Sequence, residues 1–133
     1  MKQRLQVAVG IIFNAEQQAL IARRHAHQHQ GDRWEFPGGK REANETRFQA
    51  LQREIEEEVG LLVHQAEPMM QIVHDYAELE VELDVWIVSE FSGEAIGKEG
   101  QALEWCALAD LDNKEFPAAN IEIIERLTSL YAI

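Results

Sequence analysis

Gly39-Lys-Arg-Glu-Ala-Asn-Glu45-Thr46-Arg-Phe-Gln-Ala-Leu-Gln-Arg53-Glu54-Ile55-Glu-Glu57-Glu58-Val59-Gly60-Leu61 decides how this chain is read. The stretch predicts a helix from about Thr46 to Val59. Thr46 or Asn44 can cap its start, and Gln49 stands where a capping box with Thr46 requires it. Gly60 supplies the stop, because glycine tolerates the left-handed conformation that ends helices. Phe48, Leu51, Ile55 and Val59 form the apolar stripe. At ~100° per residue these four fall within about 80° of one another, and Glu54, Glu57 and Glu58 centre roughly 110° away. One side of the helix is thus built for burial while the adjacent side gathers three carboxylates at i, i+3 and i+4. Like charges at those offsets repel, and a divalent cation reverses the sign of their interaction. Hard cations such as Mg²⁺ take oxygen ligands and commonly bind carboxylates together with substrate phosphates.

Around this helix the chain alternates strand and helix signals. Leu5 to Phe13 is an apolar, β-branched run that reads as a strand, followed by a turn at Asn14 to Gln17 and a second strand from Ala19 to Arg23. Residues 24–33 are polar and read as a loop. Trp34-Glu35-Phe36 is a short extended piece before Pro37, which disfavours helix at the residue preceding it. Met69 to Tyr76 and Leu79 to Phe91 read as strands. In the latter, Leu79, Val81, Leu83, Val85 and Ile87 alternate with Glu78, Glu80, Glu82, Asp84 and Trp86, which predicts a half-buried antiparallel strand. Ser92-Gly93 is a turn, and Leu103 to Ala107 is a further strand. A second helix is expected over Ile121 to Tyr131, with Ile121, Ile124, Leu127 and Tyr131 on one face. The order gives an α+β arrangement with a mixed sheet flanked by helices. Its length of 133 residues, without repeat or linker, fits one domain over residues 1–133.

The net charge of −12 argues against polymeric nucleic acid as a partner, since such binding depends on Lys and Arg contacts to phosphates. A small phosphorylated ligand is compatible with it once metal ions neutralise the carboxylates locally. No segment reaches the ~20 apolar residues of a transmembrane helix, and the N-terminus lacks a signal-like apolar run. Cys106 is the lone cysteine, so no intrachain disulfide forms. A cytoplasmic monomer without membrane attachment is the expectation.

Gly39, five residues, Glu45, seven residues, then Arg53-Glu54-Ile55-x-Glu57-Glu58-x-Gly60-Leu61 is similar to the box that defines the Nudix family, with all nine specified positions present. Further pieces, Val7 to Ile12, Glu35-Phe36-Pro37-Gly38-Gly39-Lys40, Gly97-Lys98-Glu99-Gly100 and Phe116-Pro117-Ala118-Ala119-Asn120, resemble the MutT branch of that family over most of the chain. The resemblance implies the Nudix fold, an α/β/α sandwich with a mixed central sheet. It implies Mg²⁺-dependent hydrolysis, with Mn²⁺ as a substitute, of a nucleoside triphosphate: 8-oxo-dGTP to 8-oxo-dGMP and pyrophosphate, as in nucleotide-pool sanitation. Glu54, Glu57, Glu58 and Glu99, with the backbone of Gly38, are the implied metal ligands. Glu54 or Glu99 is the implied base, and Arg53 and Glu45 support them. Gly38 and Gly39 are expected to let the backbone turn sharply.

Substrate contacts implied by the same resemblance are Arg23, His29, Phe36 and Asn120. An Asn amide offers both a donor and an acceptor, so it can pair with the N7–H and O6 of 8-oxoguanine. Guanine presents a bare N7 acceptor instead, and an unsatisfied buried acceptor is costly. The competing reading of Asn120 is a helix N-cap. Arg23 reads equally as a surface Arg at a strand end. His25, His27 and His29 alternate but lack the surrounding ligands of a transition-metal site, and read as a solvated loop. Trp34, Trp86 and Trp105 read as packing residues. Leu79, followed by Glu80, stands where enterobacterial relatives carry a basic residue. Alternatives are a Nudix hydrolase for CTP or an oxidised pyrimidine nucleotide, and, from another class, a non-catalytic nucleotide-binding module.

Overall fold

The computed structural model describes residues 3–24 and 33–131. Strands β1 (Gln3–Ile12) and β2 (Gln18–Arg23) are followed by two short strands, β3 (Trp34–Glu35) and β4 (Gly38–Lys40). Helix α1 (Arg47–Val59) leads into the long strands β5 (Leu62–Asp75) and β6 (Leu79–Ser92). Strand β7 (Leu103–Ala107), a 3-10 segment (Leu108–Asn113) and helix α2 (Ala118–Leu130) complete the order. His25, His27 and His29 lie outside the described residues.

One sheet runs β4-β1-β6-β5 and is mixed: β1 pairs parallel with β6, while β4 and β5 pair antiparallel with their neighbours. A second, antiparallel sheet runs β3-β2-β7. Strand β1 sends alternate residues to two cores. Val9 and Ile11 pack with Val85, Ile123 and Leu127 of β6 and α2. Ala8 and Ile12 pack with Leu51, Ile55, Val59 and Val88 of α1 and β6. A strand covered on both faces needs a continuous apolar run, and Val7 to Ile12 supplies one.

Helix α1 follows its sequence signals. Thr46 is the N-cap, with a reciprocal capping box to Gln49, and Gly60 closes the helix at φ 74°. Trp34, Trp86 and Trp105 all pack against the cores.

Four expectations are corrected. The face of β6 bearing Glu82 and Asp84 is not solvated: these residues are only 7% and 4% exposed. The start of α1 lies over them, because the sheet is covered on both faces, and β6 is parallel to β1 on one side. Strand β5 begins at Leu62, seven residues before Met69, and was hidden by Pro68 and by register shifts at Val63/Gln65 and Pro68/Met70 that break its alternation. Helix α2 begins at Ala118, with Pro117 in the cap position, so Asn120 sits inside the first turn and its side chain caps nothing. Ala119, Ile123, Ile124 and Leu127 form its buried stripe, while Ile121 is 51% exposed and Tyr131 38%.

The fourth concerns the glycines, which form β4 rather than a sharp turn. A Cβ at Gly38 would lie 1.9 Å from the Ala8 carbonyl oxygen, and one at Gly39 would lie 2.0 Å from Oε2 of Glu54. Their missing side chains let β4 close onto β1 on one side and α1 on the other. Gly38→Ala meets rigid backbone and should lower the free energy of urea unfolding by about 2 kcal/mol or more. Gly39→Ala meets a movable carboxylate and should be the milder variant in the same titration, while displacing Glu54.

Candidate active site

The carboxylate side of α1 faces the β4 backbone and the loop that follows it. Arg53 is the organising cation. Its Nε donates to Glu45 Oε2 at 2.9 Å and its Nη2 to Glu45 Oε1 at 2.6 Å, a two-pronged grip. Its Nη1 donates to Glu54 Oε1 at 2.7 Å and Glu57 Oε2 at 3.1 Å, and its Nη2 reaches the Lys40 carbonyl at 3.0 Å. One guanidinium thereby ties the loop to the helix. The hydrogen bonds from Arg53 hold the Glu45 carboxyl down to about 2, with help from the Glu42 N–H. Arg41 completes the brace, donating to the Glu45 carbonyl at 2.7 Å and to Gln6 on β1 at 2.8 Å.

Glu58 is placed differently. It is 8% exposed, and its Oε2 accepts the Gly38 N–H at 3.0 Å. Burial pushes its carboxyl up to about 8 against that hydrogen bond, and the charges of Glu35, Glu99 and Glu54 push the same way. Burial also raises Glu54, opposed by Arg53. Glu57 is largely exposed.

Glu99 lies on the loop between β6 and β7, and its charge is felt by Glu35, Glu54 and Glu58, which places it beside them. The loop is pinned to the end of α1, where backbone carbonyls lack helical partners. Lys98 N–H and Gln101 Nε2 both donate to the Glu58 carbonyl, at 3.1 and 3.0 Å, and Ile96 N–H donates to the Val59 carbonyl at 2.9 Å. Gln101 Oε1 in turn accepts the Glu99 N–H at 2.9 Å.

Glu35 is the acidic residue that sequence reasoning passed over. It forms an ion pair with Arg24, and burial is the main cause of its raised carboxyl. The signal was the extended Trp34-Glu35-Phe36 segment, in which neighbouring side chains point to opposite faces. Phe36 is buried and stacks on Phe116 with ring centroids 5.3 Å apart. Trp34 N–H donates to the Glu115 carbonyl at 2.7 Å. These contacts bring the segment carrying Phe36 alongside the chain that enters α2, where Asn120 is half-buried. Arg23 is exposed at the end of β2, its N–H bonded to the Ala102 carbonyl. His29 lies outside the described residues.

Among the described residues, no three His, Cys, Asp or Glu side chains converge in metal-holding geometry. Glu54 and Glu57 turn to Arg53, and Glu58 turns to Gly38. The donor set is nevertheless all oxygen, rich in carboxylate and partly buried, which fits a hard dication. An open cavity of about 710 Å³ lies against Glu54, with Arg4, Gln6, Lys40 and Arg41 on its walls. Such a surround can neutralise a polyphosphate and hold a carboxylate next to it.

Glu58 titrates near 8 in the folded chain against 4.5 as its reference value, so between those pH values the folded state binds more protons than the unfolded one. The contribution of Glu58 to the stability of the metal-free protein therefore falls as pH rises from about 4.5 to about 8, by up to ~1.4 kcal/mol per unit. Glu58→Gln removes that dependence. Denaturant unfolding in chelator at pH 5 and pH 8 should show the variant gaining on the parent at the higher pH; the same stability difference between variant and parent at both pH values would exclude a raised Glu58.

The family model described as a NUDIX domain matches residues 8–126. The 8-oxo-dGTP diphosphatase of Escherichia coli strain K12 is 40% identical over 128 residues, covering 96% of this chain and 99% of that protein. The CTP pyrophosphohydrolase of the same organism is 32% identical over 124 residues, covering 93% and 92%. A solved MutT structure, from work on the Aliivibrio salmonicida and Vibrio cholerae proteins, superimposes with a TM-score of 0.85 at 38% identity over 96% of this chain and 99% of that one. With this sheet, this helix and this match, the chain belongs to the Nudix hydrolase family.

Proposed function

We propose that the chain is a Mg²⁺-dependent pyrophosphohydrolase that converts 8-oxo-dGTP to 8-oxo-dGMP and pyrophosphate, acting as a cytoplasmic monomer on free nucleotides. The observation that carries the chemistry is the buried Glu58 carboxylate, held by the Gly38 N–H and surrounded by the charges of Glu35, Glu54 and Glu99. A cation joining that cluster favours the ionised form of each carboxyl that burial disfavours. Glu54, Glu57, Glu58 and Glu99, with the Gly38 carbonyl, would hold Mg²⁺, with Mn²⁺ as a substitute. When bound, Mg²⁺ supplies charge neutralisation at the phosphates and a more acidic water.

The residues divide the remaining work. Arg53, gripped by Glu45 of the loop, fixes Glu54 and Glu57 on α1. Glu54 or Glu99 accepts a proton from the water that attacks the β-phosphorus. The bond from that phosphorus to the α–β bridging oxygen breaks, and the oxygen leaves with the nucleoside monophosphate. Lys40 on the cavity wall offsets phosphate charge. The backbone at Phe36 and the side chain of Asn120 receive the base. Asn120 lies in the first turn of α2 with its amide unused by the cap, which supports a role in pairing N7–H and O6. Arg23 and His29 are the proposed contacts to sugar and phosphate.

Substrate choice rests on the relatives named as 8-oxo-dGTP diphosphatases, to which identity is higher than to the CTP pyrophosphohydrolase. Pyrophosphate release from 8-oxo-dGTP, dGTP, CTP and ADP-ribose, with Mg²⁺ and with Mn²⁺, should give the highest kcat/KM for 8-oxo-dGTP. Preference for CTP would reject the substrate assignment, and no release from any of them would point to a binding module. Asn120→Ala should erode selectivity over dGTP by about 10–100-fold, the worth of one unsatisfied buried polar group. Replacing the true base, by Glu54→Gln or Glu99→Gln, should lower kcat by ~10²–10⁴-fold, and the other variant should differ in its metal dependence.

A further inference from the structure

Glu82 and Asp84 are buried charges on the face of β6 beneath the first turn of α1, and neither belongs to the carboxylate site. Arg47, the first residue of α1, donates from Nη1 to Glu82 Oε2 at 2.9 Å and lies 3.5 Å from Asp84 Oδ2. Arg4 on β1 stands 3.6 Å from the other Glu82 oxygen, Oε1. Trp86 Nε1 donates to Asp84 Oδ2 at 3.0 Å, and Gln71 Nε2 on β5 reaches Oδ1 at 3.5 Å. Beside this network Phe48 packs on Trp86, ring centroids 5.7 Å apart. Residues from β1, β5 and β6 thus converge to hold one end of one helix.

The placement of Arg47 on that helix gives the network a further consequence. Glu54 and Glu58 follow it by seven and eleven residues. At ~100° per residue, both point within about 20° of the Arg47 direction. The latch at the start of α1 and the two inward carboxylates therefore lie along one line of the helix surface. Rotating the helix by about 10° about its axis moves a carboxylate at a radius of ~5–6 Å by roughly 1 Å. A displacement of that size is enough to spoil a site whose groups must be held within ~0.5 Å. The apolar stripe of Leu51, Ile55 and Val59 tolerates small rotations, since apolar contact is not directional. The charged latch is directional and does not.

We propose that the Arg47–Glu82–Asp84 network is a positioning device that sets the rotation of α1, and through it the seating of Glu58 on Gly38 and of Glu54 on the cavity. It rests on the reading of these carboxylates as metal ligands only for its effect on metal and turnover; its effect on the Glu58–Gly38 hydrogen bond is independent of substrate.

The test uses Arg47→Met/Glu82→Gln/Asp84→Asn together, which removes the pairing without leaving an unpaired buried charge. Folding is checked by circular dichroism and cooperative unfolding. In the folded variant the Gly38 amide proton resonance, read without metal, should move toward the position of a weaker hydrogen bond. Mn²⁺ affinity by electron paramagnetic resonance should weaken about 10–100-fold, and kcat should fall by a similar factor with nucleotide KM held within about 2-fold. An unchanged Gly38 resonance together with unchanged Mn²⁺ affinity overturns the proposal. Arg47→Lys keeps the charge but loses the planar fork, and should show the same shifts at smaller size. If the triple variant fails to fold, Arg47→Lys carries the same two readings, and parental values in it overturn the proposal. If the parent hydrolyses no nucleotide, the substrate assignment fails while the Gly38 and Mn²⁺ readings still judge the latch.

Discussion

The hydrogen bond from the Gly38 N–H to the buried Glu58 carboxylate is the constraint around which this molecule is arranged. A carboxylate that is 8% exposed must be compensated, and a single neutral N–H compensates it only in part. The bond exists because β4 opens with two glycines. A Cβ at Gly38 would run into the Ala8 backbone, and one at Gly39 would push the Glu54 carboxylate aside. The helix, the sheet edge and the acidic side chain are therefore brought to one place by two missing side chains.

Charge is apportioned around that bond. Arg53 stabilises the outer carboxylates, holding Glu45 well below the ordinary range and opposing the effect of burial on Glu54. Glu58 instead has Glu35, Glu99 and Glu54 as neighbours, whose charges all push its carboxyl up. The arrangement is stable at the rim and electrostatically unfavourable at the centre, which supports the proposed uptake of a dication there. The loop bearing Glu99 is fixed to the same helix through the otherwise unpaired carbonyls of its last turn. Capping and site assembly are there a single set of hydrogen bonds.

The central sheet shows how local patterning can mislead. The alternation in β6 was clear, and its conclusion of a solvated acidic face was wrong for Glu82 and Asp84. Alternation separates two faces but does not say what covers each of them. Here α1 covers the polar face and brings Arg47 as a counter-charge. The start of α2 shows a similar limit. Asn120 has the side chain of a cap, yet the helix begins three residues before Ile121, directly after Pro117, which holds φ at −59° with an extended ψ of 153° in the cap position.

The sequence by itself determined helix α1 with its cap box, stop and apolar stripe, because those signals are local and agree with one another. It also determined the carboxylate set and its hydrolytic family, since the spacing along 39–61 fixes both residue type and helical face. Only the tertiary structure decided that the two glycines serve close packing, that Glu58 is the buried member of its triad, that Glu35 joins the acidic surround, and that Glu82 and Asp84 are covered. Each of those depends on which backbone lies against which side chain across strands far apart in the chain. Burial and the pKa it imposes are properties of that assembled contact, and no local pattern of residues encodes them.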